Sequence, residues 1–206
     1  MLSPVNMFLL GVVDAQPVNP YEIVSRFEYN RYKSILGIAN STIYASIRSM
    51  HNKGYLDYAL EQESNLPAKK IYSITEQGRE ELKTAVRESL QGKSSDPGRF
   101  MVALLLMHYF SREEVLTYLK EHRAMLQPIL EEREDDCKYV EKIHTIAPCI
   151  PNVSTSLMGY LQTKVLQETI DVTIDMLEKA EQWPQNTFET DPVYRENYSE
   201  WLQKQI

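Results

Sequence analysis

The sequence predicts a mainly α-helical protein, with a β-hairpin in its N-terminal part and helices alone in its C-terminal part. Three observations lead to this fold class. Apolar residues recur at steps of three and four over most of the chain, which is helical spacing. The pattern becomes strand-like only at 55–60 and 70–74. Residues 91–98 are rich in Gly, Ser and Pro, so we predict an N-terminal domain (1–90), a linker (91–98) and a helical domain (99–206).

Start and stop residues divide the first ninety residues. We expect helices to begin at Ser3-Pro4, Asn19-Pro20, Asn40-Ser41-Thr42 and Thr75, and to end near Ala15, before Gly37, at Gly54 and near Leu90. The two strands, 55–60 and 70–74, would form a hairpin between the third helix and the last. The order of three helices, a hairpin and a helix is typical of a winged helix-turn-helix, which binds DNA.

The third helix is the predicted DNA-reading element. With Ile43, Ile47 and Met50 facing inward, its other side would present short or hydrogen-bonding side chains. Arg48 could donate two hydrogen bonds to guanine, while lysines in the wing and before the helix could neutralise phosphates. The predicted DNA-binding residues are Lys33, Ser41, Thr42, Tyr44, Ala45, Arg48, Lys69 and Lys70.

Three segments of the N-terminal part resemble the PadR family of transcriptional regulators. The resemblance lies in Ser41-Thr42-Ile43-Tyr44, Lys53-Gly54-Tyr55-Leu56 and Tyr72-Ser73-Ile74-Thr75-Glu76-Gln77-Gly78, and it covers residues 4–90. It implies a homodimer on an inverted-repeat operator, expected to repress, with a small-molecule effector in some members. Beyond Gly98 the helical architecture is similar to the virulence-activator branch. This chain departs from the family pattern at Ala45, where proline is common, and at a less basic wing tip, Asn65-Leu66-Pro67-Ala68.

The C-terminal part predicts helix pairing. An apolar helix at 100–110 should be buried, Ser111 with Glu114 should cap a long helix, and a second long helix should run from about 152 to 182. The second helix carries two apolar stripes, one with Leu166, Ile170, Thr173, Leu177 and Ala180 and one with Val165, Val172 and Met176. A helix with two apolar faces needs two neighbours, so we predict dimerisation here. We expect the aromatics of the tail, Trp183, Phe188, Tyr194, Tyr198 and Trp201, to pack on the body or the dimer partner.

Charge and composition bound the function. Lysines and arginines balance acidic residues at ten each in residues 1–90, so the net charge of −7 lies wholly beyond them. The acidic part should therefore stay away from phosphates. No basic run precedes an apolar N-terminal stretch, and Cys137 and Cys149 form no disulfide framework, so we predict a cytoplasmic protein without a membrane role. We find no metal-ligand spacing, phosphate loop or nucleophile with its base, and predict no cofactor and no enzymatic activity.

The sequence therefore predicts a sequence-specific, homodimeric transcription regulator that binds double-stranded DNA. A small-molecule effector would bind beside Phe100, Leu104 and Met107, between the linker helix and the DNA-binding part. Two alternatives remain open: a winged-helix protein–protein adaptor without DNA binding, and a small-molecule enzyme or binding protein built on the helical part.

Overall fold

The computed structural model describes residues 1–29, 31–62, 68–144, 150–181, 183 and 192–204. Within these ranges the chain is mainly helical and contains one two-stranded antiparallel sheet, which confirms the predicted fold class. Contacts divide the chain into two compact units. The first contains residues 1–89, 93–109 and the described part of 184–206, and the second contains 90–92 and 110–183.

The first unit is built around α1 (Pro4–Ala15), which packs against α2 (Pro20–Tyr29), α4 (Asn40–Asn52), the sheet and α6 (Pro97–Leu105). As predicted, Ser3 caps α1 by accepting a hydrogen bond from the backbone N–H of Asn6. Apolar residues follow on every side of the helix, and those from Met7 to Leu10 are fully buried. This helix is therefore the core of the unit, since it has no face left for water.

The connection from α2 to α4 differs from the sequence prediction. We expected one helix from Asn19 to just before Gly37, but α2 ends at Tyr29 and a short α3 (Tyr32–Leu36) follows. Arg31 precedes α3 with a left-handed φ of 58°. A residue with positive φ cannot continue a right-handed helix, and arginine carries no sequence signal for that conformation. Gly37, also left-handed at φ 61°, then ends α3 as expected.

The hairpin consists of β1 (Leu56–Glu61) and β2 (Lys69–Ile74), each within one residue of its predicted limits. Its register runs from Leu56 opposite Ile74 to Glu61 opposite Lys69. Val18, between α1 and α2, adds a bridge to β2 through two backbone hydrogen bonds with Tyr72. The predicted wing tip around 65–68 lies mostly outside the described residues, which exclude 63–67.

The base of the hairpin is held against α5 (Glu76–Leu90) by a threonine and a glycine. Thr75 donates from Oγ1 to the carbonyl of Gly54 at 2.6 Å and accepts from the N–H of Gly78 at 3.0 Å. A Cβ atom at position 78 would lie 2.2 Å from the carbonyl oxygen of Tyr55. Only glycine allows this approach, which gives a physical reason for the Thr-x-x-Gly pattern.

After α5 the first unit continues through α6 and a 3₁₀ turn (Met107–Tyr109). The predicted buried helix of 100–110 is therefore shorter than expected, because it ends at Leu105. Its inner face is buried on α1, with Leu106 packed so closely over Gly11 that a Cβ there would overlap it. The predicted linker (91–98) and the domain boundary at 99 remain predictions. Helix α6 begins inside the predicted linker, and its contacts place it in the first unit.

The last described helix, α9 (Pro192–Gln203), also belongs to the first unit. The ring of Tyr29 on α2 meets Tyr198 at 5.2 Å and Trp201 at 5.7 Å, both edge to face. The guanidinium of Arg26 lies 5.6 Å from the Tyr198 ring centroid. Two of the five tail aromatics thus pack on the body of the protein, as expected. Phe188 and the side chain of Tyr194 lie outside the described residues.

The second unit is an antiparallel pair of long helices, α7 (Arg112–His144) and α8 (Ile150–Lys179). The predicted capping box is present: the N–H of Ser111 donates to the Glu114 carboxylate at 2.8 Å, and the N–H of Glu114 donates to Ser111 Oγ at 3.2 Å. Polar pairs connect the helices at Lys120–Glu178 (2.8 Å), Arg123–Asp171 (3.3 Å) and Gln127–Gln167 (3.2 Å).

The two apolar stripes predicted on the second long helix lie on different sides of α8. Ile170 and Leu177 of the first predicted stripe are at most 5% exposed, and Leu166 and Thr173 are half-buried. Ile174, which the prediction did not include, is also buried on this side. Val165, Val172 and Met176 are between 59% and 65% exposed. One stripe therefore packs within the unit while the other faces solvent. None of the described helices combines the length and apolarity needed to cross a bilayer.

Candidate nucleic-acid interface

Helix α4 has one buried side and one exposed side. Ile43 and Met50 are fully buried and Ile47 is 2% exposed, as the sequence predicted. These residues are separated by four and three positions, so they form one stripe facing α1 and α2. The opposite side of α4 is consequently turned away from the first unit and is available to a partner.

The predicted contact residues of α4 all lie on that opposite side. All five are exposed: Ser41, Thr42, Tyr44, Ala45 and Arg48. Four of them carry at most a hydroxyl or a phenol, so a duplex could approach the helix backbone closely. Among the described residues, no hydrogen bond or ion pair engages the guanidinium of Arg48. All five of its N–H donors are therefore free to bind another molecule.

Lys33, on α3, differs from Arg48 in being paired. Its Nζ lies 2.6 Å from the Glu28 carboxylate, and both side chains are partly exposed. An exposed pair of this kind is weak, so Lys33 could exchange Glu28 for a phosphate. The structure thus gives Lys33 a competing partner that the sequence did not predict.

Lys69 and Lys70 are both exposed at the start of β2 but lie on opposite faces of the hairpin, because neighbouring strand residues alternate. Lys69 stands opposite Glu61, and Lys70 stands opposite Leu60. The Nζ of Lys70 lies 4.1 Å from the ring centroid of Tyr58. The sequence prediction treated the two lysines as equivalent, whereas their surroundings differ.

An aromatic cluster joins the end of α4 to the hairpin. His51, in the last turn of α4, makes a hydrogen bond from Nδ1 to the carbonyl of Leu56 at 2.9 Å. Its ring meets Tyr58 at 5.2 Å and Tyr72 at 6.4 Å, and the two tyrosines are 5.6 Å apart. Sequence reasoning missed this cluster. The alternation of Tyr58, Leu60, Lys70 and Tyr72 on one hairpin face was its only available signal.

A second missed feature is the charged network at Asp14, near the end of α1. Its carboxylate accepts hydrogen bonds from Arg79 Nε (2.9 Å) and from the hydroxyl of Tyr109. The hydrogen bond to Asp14 is the main reason that the pKa of Arg79 is raised. Burial lowers the pKa of the adjacent His108, whose ring stacks on Tyr109. The network fixes the start of α5, and hence the base of the hairpin, relative to α1.

The predicted effector residues lie on α6 or just after it. Phe100 is buried, and Leu104 and Met107 are half-buried. A shallow cavity of about 500 Å³ opens at the other end of α6, lined by Pro4, Val5, Leu36, Asp96, Pro97, Gly98 and Met101. Across the described ranges, no group of three or more His, Cys, Asp or Glu side chains is arranged to hold a metal ion.

Comparisons with known proteins identify the first unit. Residues 9–84 match the model of the transcriptional regulator PadR-like family, and these residues run from α1 through the hairpin into α5. The search of the curated proteins found no match.

Similar solved structures include PadR of Bacillus subtilis in complex with operator DNA, with 17% identity over 84% of this chain and 98% of that chain and a TM-score of 0.35. Protein smu.1604c from Streptococcus mutans UA159 has 18% identity over 82% and 98%, and a TM-score of 0.37. The PadR-like transcriptional regulator BC1756 from Bacillus cereus has 16% identity over 84% and 94%, and a TM-score of 0.34. Because these scores are low, the assignment depends on the match of residues 9–84. Residues 9–84, a little more than a third of the chain, therefore form a winged helix of the transcriptional regulator PadR-like family.

Proposed function

We propose that this protein represses transcription as a homodimer on an inverted-repeat operator, with α4 of each protomer in the major groove and the hairpin beside the neighbouring backbone. The observation that carries the proposal is the two-sidedness of α4. Its apolar residues are buried, while a shallow side of Ser41, Thr42, Ala45 and the unpaired Arg48 is exposed. A groove-reading helix needs both properties, because it must be held firmly by its own domain while approaching the bases closely.

Each exposed residue of α4 has a distinct proposed role. Arg48 is the base reader, because a guanidinium can donate two hydrogen bonds to O6 and N7 of one guanine. Ser41 and Tyr44 contact phosphate or sugar and set the position of the helix on the duplex. Thr42 and Ala45 are small enough to let the backbone approach. Lys33, Lys69 and Lys70 supply phosphate contacts, which add affinity without sequence preference.

The proposed dimer forms through the exposed stripe of α8. Met158, Leu161, Val165, Val172 and Met176 are all at least 45% exposed and follow steps of three, four, seven and four along one side of the helix. Burying an exposed apolar side chain of this size contributes about 1.5–3 kcal/mol. A second copy would offer the same stripe about a two-fold axis, so each protomer would cover the other.

The distribution of charge supports the proposal that the first unit binds DNA and that α8 forms the dimer. The first ninety residues are neutral overall, so a local basic surface at α4 and the hairpin is not opposed by their total charge. The exposed acidic run on α7, Glu131, Glu132, Glu134, Asp135 and Asp136, belongs to the second unit. Such a surface repels DNA phosphates and would favour binding through the first unit. The proposal includes a cytoplasmic location, where a regulator meets its operator.

Control by a small molecule is a further part of the proposal. The half-buried Leu104 lies in the last turn of α6 and the half-buried Met107 lies just after it, before the chain enters α7. A compound that packed against these side chains and Phe100 would change the local structure ahead of the dimerisation helices. Its effect on DNA affinity would equal the difference between its affinities for the DNA-bound and DNA-free forms.

The test is selection of duplexes from a random DNA library by the purified full-length protein, with the mass of the complex measured by sedimentation. We expect an enriched motif of two inverted half-sites about one helical turn apart, roughly 34 Å, bound by two protomers. Replacing Arg48 by alanine should erase the preference at one position of each half-site. Arg123→Ala, which removes an exposed arginine from α7, is the matched control and should leave the motif unchanged. A folded dimer that enriches no sequence would contradict the proposal and fit a winged-helix adaptor instead.

A further inference from the structure

The aromatic cluster between α4 and the hairpin contains a lysine that the fold holds in a defined place. The ammonium of Lys70 lies 4.1 Å from the Tyr58 ring centroid, which is cation–π distance. The same ring meets His51 of α4 at 5.2 Å. Tyr58 is therefore in contact with both the last turn of the reading helix and the charged group of the wing.

The Tyr58 ring that contacts Lys70 is held in place by its own neighbours. Tyr72, opposite Tyr58, is only 6% exposed, and both its N–H and its carbonyl are hydrogen-bonded to Val18. Backbone groups directed to Val18 cannot also bond to Tyr58, so the two tyrosines form a non-hydrogen-bonded pair, in which side chains approach more closely. His51 is fixed as well, through its hydrogen bond to Leu56.

A free lysine side chain is a poor positional element, because four flexible methylene groups separate its charge from the backbone. Contact with a fixed ring reduces the conformations that must be given up on binding. Lys69, one residue earlier, points to the other face of the hairpin, where its cross-strand neighbour is Glu61. Tyr58 can therefore position Lys70 without affecting Lys69.

We propose that Tyr58 is a positioning residue for DNA binding: its ring, held by His51 and Tyr72, presents the Lys70 ammonium to one phosphate beside the groove that α4 enters. The inference rests on the proposed function, since it assumes that the protein binds duplex DNA. It assigns a role to a residue that contacts no DNA itself, and it separates two adjacent lysines that the sequence does not distinguish.

The experiment measures the salt dependence of binding to a fluorescently labelled duplex of mixed sequence, for which phosphate contacts dominate affinity. The variants are Tyr58→Leu, Lys70→Ala and the two combined, with Tyr58→Phe as the matched control because it keeps the ring. Each lost phosphate contact reduces the magnitude of the slope of log K against log salt by about 0.9. We expect Lys70→Ala to reduce that magnitude and Tyr58→Leu to weaken binding. The double variant should bind no more weakly than Lys70→Ala alone, and Tyr58→Phe should match the wild type. Lys69→Ala should add its own loss to that of Tyr58→Leu.

An affinity unchanged in Tyr58→Leu, or losses of affinity that add fully in the double variant with Lys70→Ala, would overturn the inference. If Tyr58→Leu does not fold, Tyr58→Ile, with a side chain suited to a strand, replaces it. A second readout needs no DNA: the side-chain methylene protons of Lys70 should be shifted upfield by the Tyr58 ring in the free protein and return to ordinary values in Tyr58→Leu. Absence of that shift in the wild type also overturns the inference, whereas failure of the wild type to bind any duplex contradicts the proposed function itself.

Discussion

Helices α4 and α8 each use one side to pack within their own unit and leave the other side exposed, but the two exposed sides are opposite in character. On α4 the exposed side consists of small or hydroxyl-bearing residues, one tyrosine and one arginine: Ser41, Thr42, Ala45, Tyr44 and Arg48. On α8 it consists of valine, methionine and leucine, with Val165 61% exposed and Met176 65% exposed. The buried sides, by contrast, are alike: Ile43 and Ile170, for example, are both fully buried.

This difference indicates what kind of partner each helix requires. A polar side is well solvated, so α4 can remain in water until a duplex displaces that water. An apolar stripe in water is unfavourable by roughly 25 cal/mol for each Å² of apolar surface, so α8 favours a partner that stays. We therefore expect dimerisation through α8 to be permanent and DNA binding through α4 to be reversible and dependent on salt.

The largest expected effect comes from placing a charge in the α8 stripe. Val172→Asp would bury an unpaired carboxylate in the proposed dimer, which costs several kcal/mol. We expect the mass measured by sedimentation to fall to that of one chain of 24.0 kDa, and tight operator binding to be lost with it. Lys164→Asp is the control, because it adds the same carboxylate to α8 about a quarter turn away from the stripe. A Val172→Asp protein that remains dimeric would remove this stripe from the interface.

A smaller and more selective effect is expected on the exposed side of α4. Arg48→Ala should weaken specific binding by about 1–3 kcal/mol and relax the preference for one base pair. Arg48→Lys is the informative companion, because it keeps the charge but loses the planar fork that contacts guanine at two points. In a competition gel shift, Arg48→Lys should retain non-specific affinity and lose specificity. Unchanged discrimination in both variants would show that another residue reads the base.

The same two helices illustrate what could be predicted from the sequence. The buried and exposed sides of α4 follow from the spacing of Ile43, Ile47 and Met50, and the stripes of α8 follow from the same periodicity. The capping residues Ser3 and Ser111 and the hairpin limits were also predictable. All of these are local signals, in which the interacting groups are separated by a few residues or the pattern repeats along one element.

The unpredicted features depend on groups far apart in the chain or on backbone states without a sequence signal. Asp14 meets Arg79 and Tyr109, which are 65 and 95 positions away, and one sequence contains no measure of that proximity. The break before α3 depends on a left-handed arginine, Arg31, which an apolar periodicity cannot reveal. Lys69 and Lys70 could be assigned to opposite faces of the hairpin only with the register of its strands, because side chains alternate between faces only within an established strand.

The smallest expected effect is a pH dependence of the free energy of unfolding. It can be compared between the two units because each contains one buried histidine. Burial lowers the pKa of His108 in the first unit and of His122 in the second, because a charged imidazole is poorly solvated there. The folded protein therefore binds these protons less readily than the unfolded chain. The free energy of unfolding should accordingly be highest at neutral pH, fall as the pH drops through about 6.5, where an unfolded histidine titrates, and level off below the folded-state pKa values.

Two tryptophans allow each unit to be followed separately in urea titrations at several pH values: Trp201 lies in the first unit and Trp183 in the second. With Trp183→Phe as background, fluorescence reports the unit that contains His108; with Trp201→Phe, it reports the unit that contains His122. Replacing His122 by glutamine, which does not titrate, should reduce the acid-dependent loss seen by Trp183. If the loss seen by Trp201 falls equally, the two units unfold as one cooperative body. If only the Trp183 signal changes, the two units are stabilised independently, which is the arrangement expected if their exposed sides serve different partners.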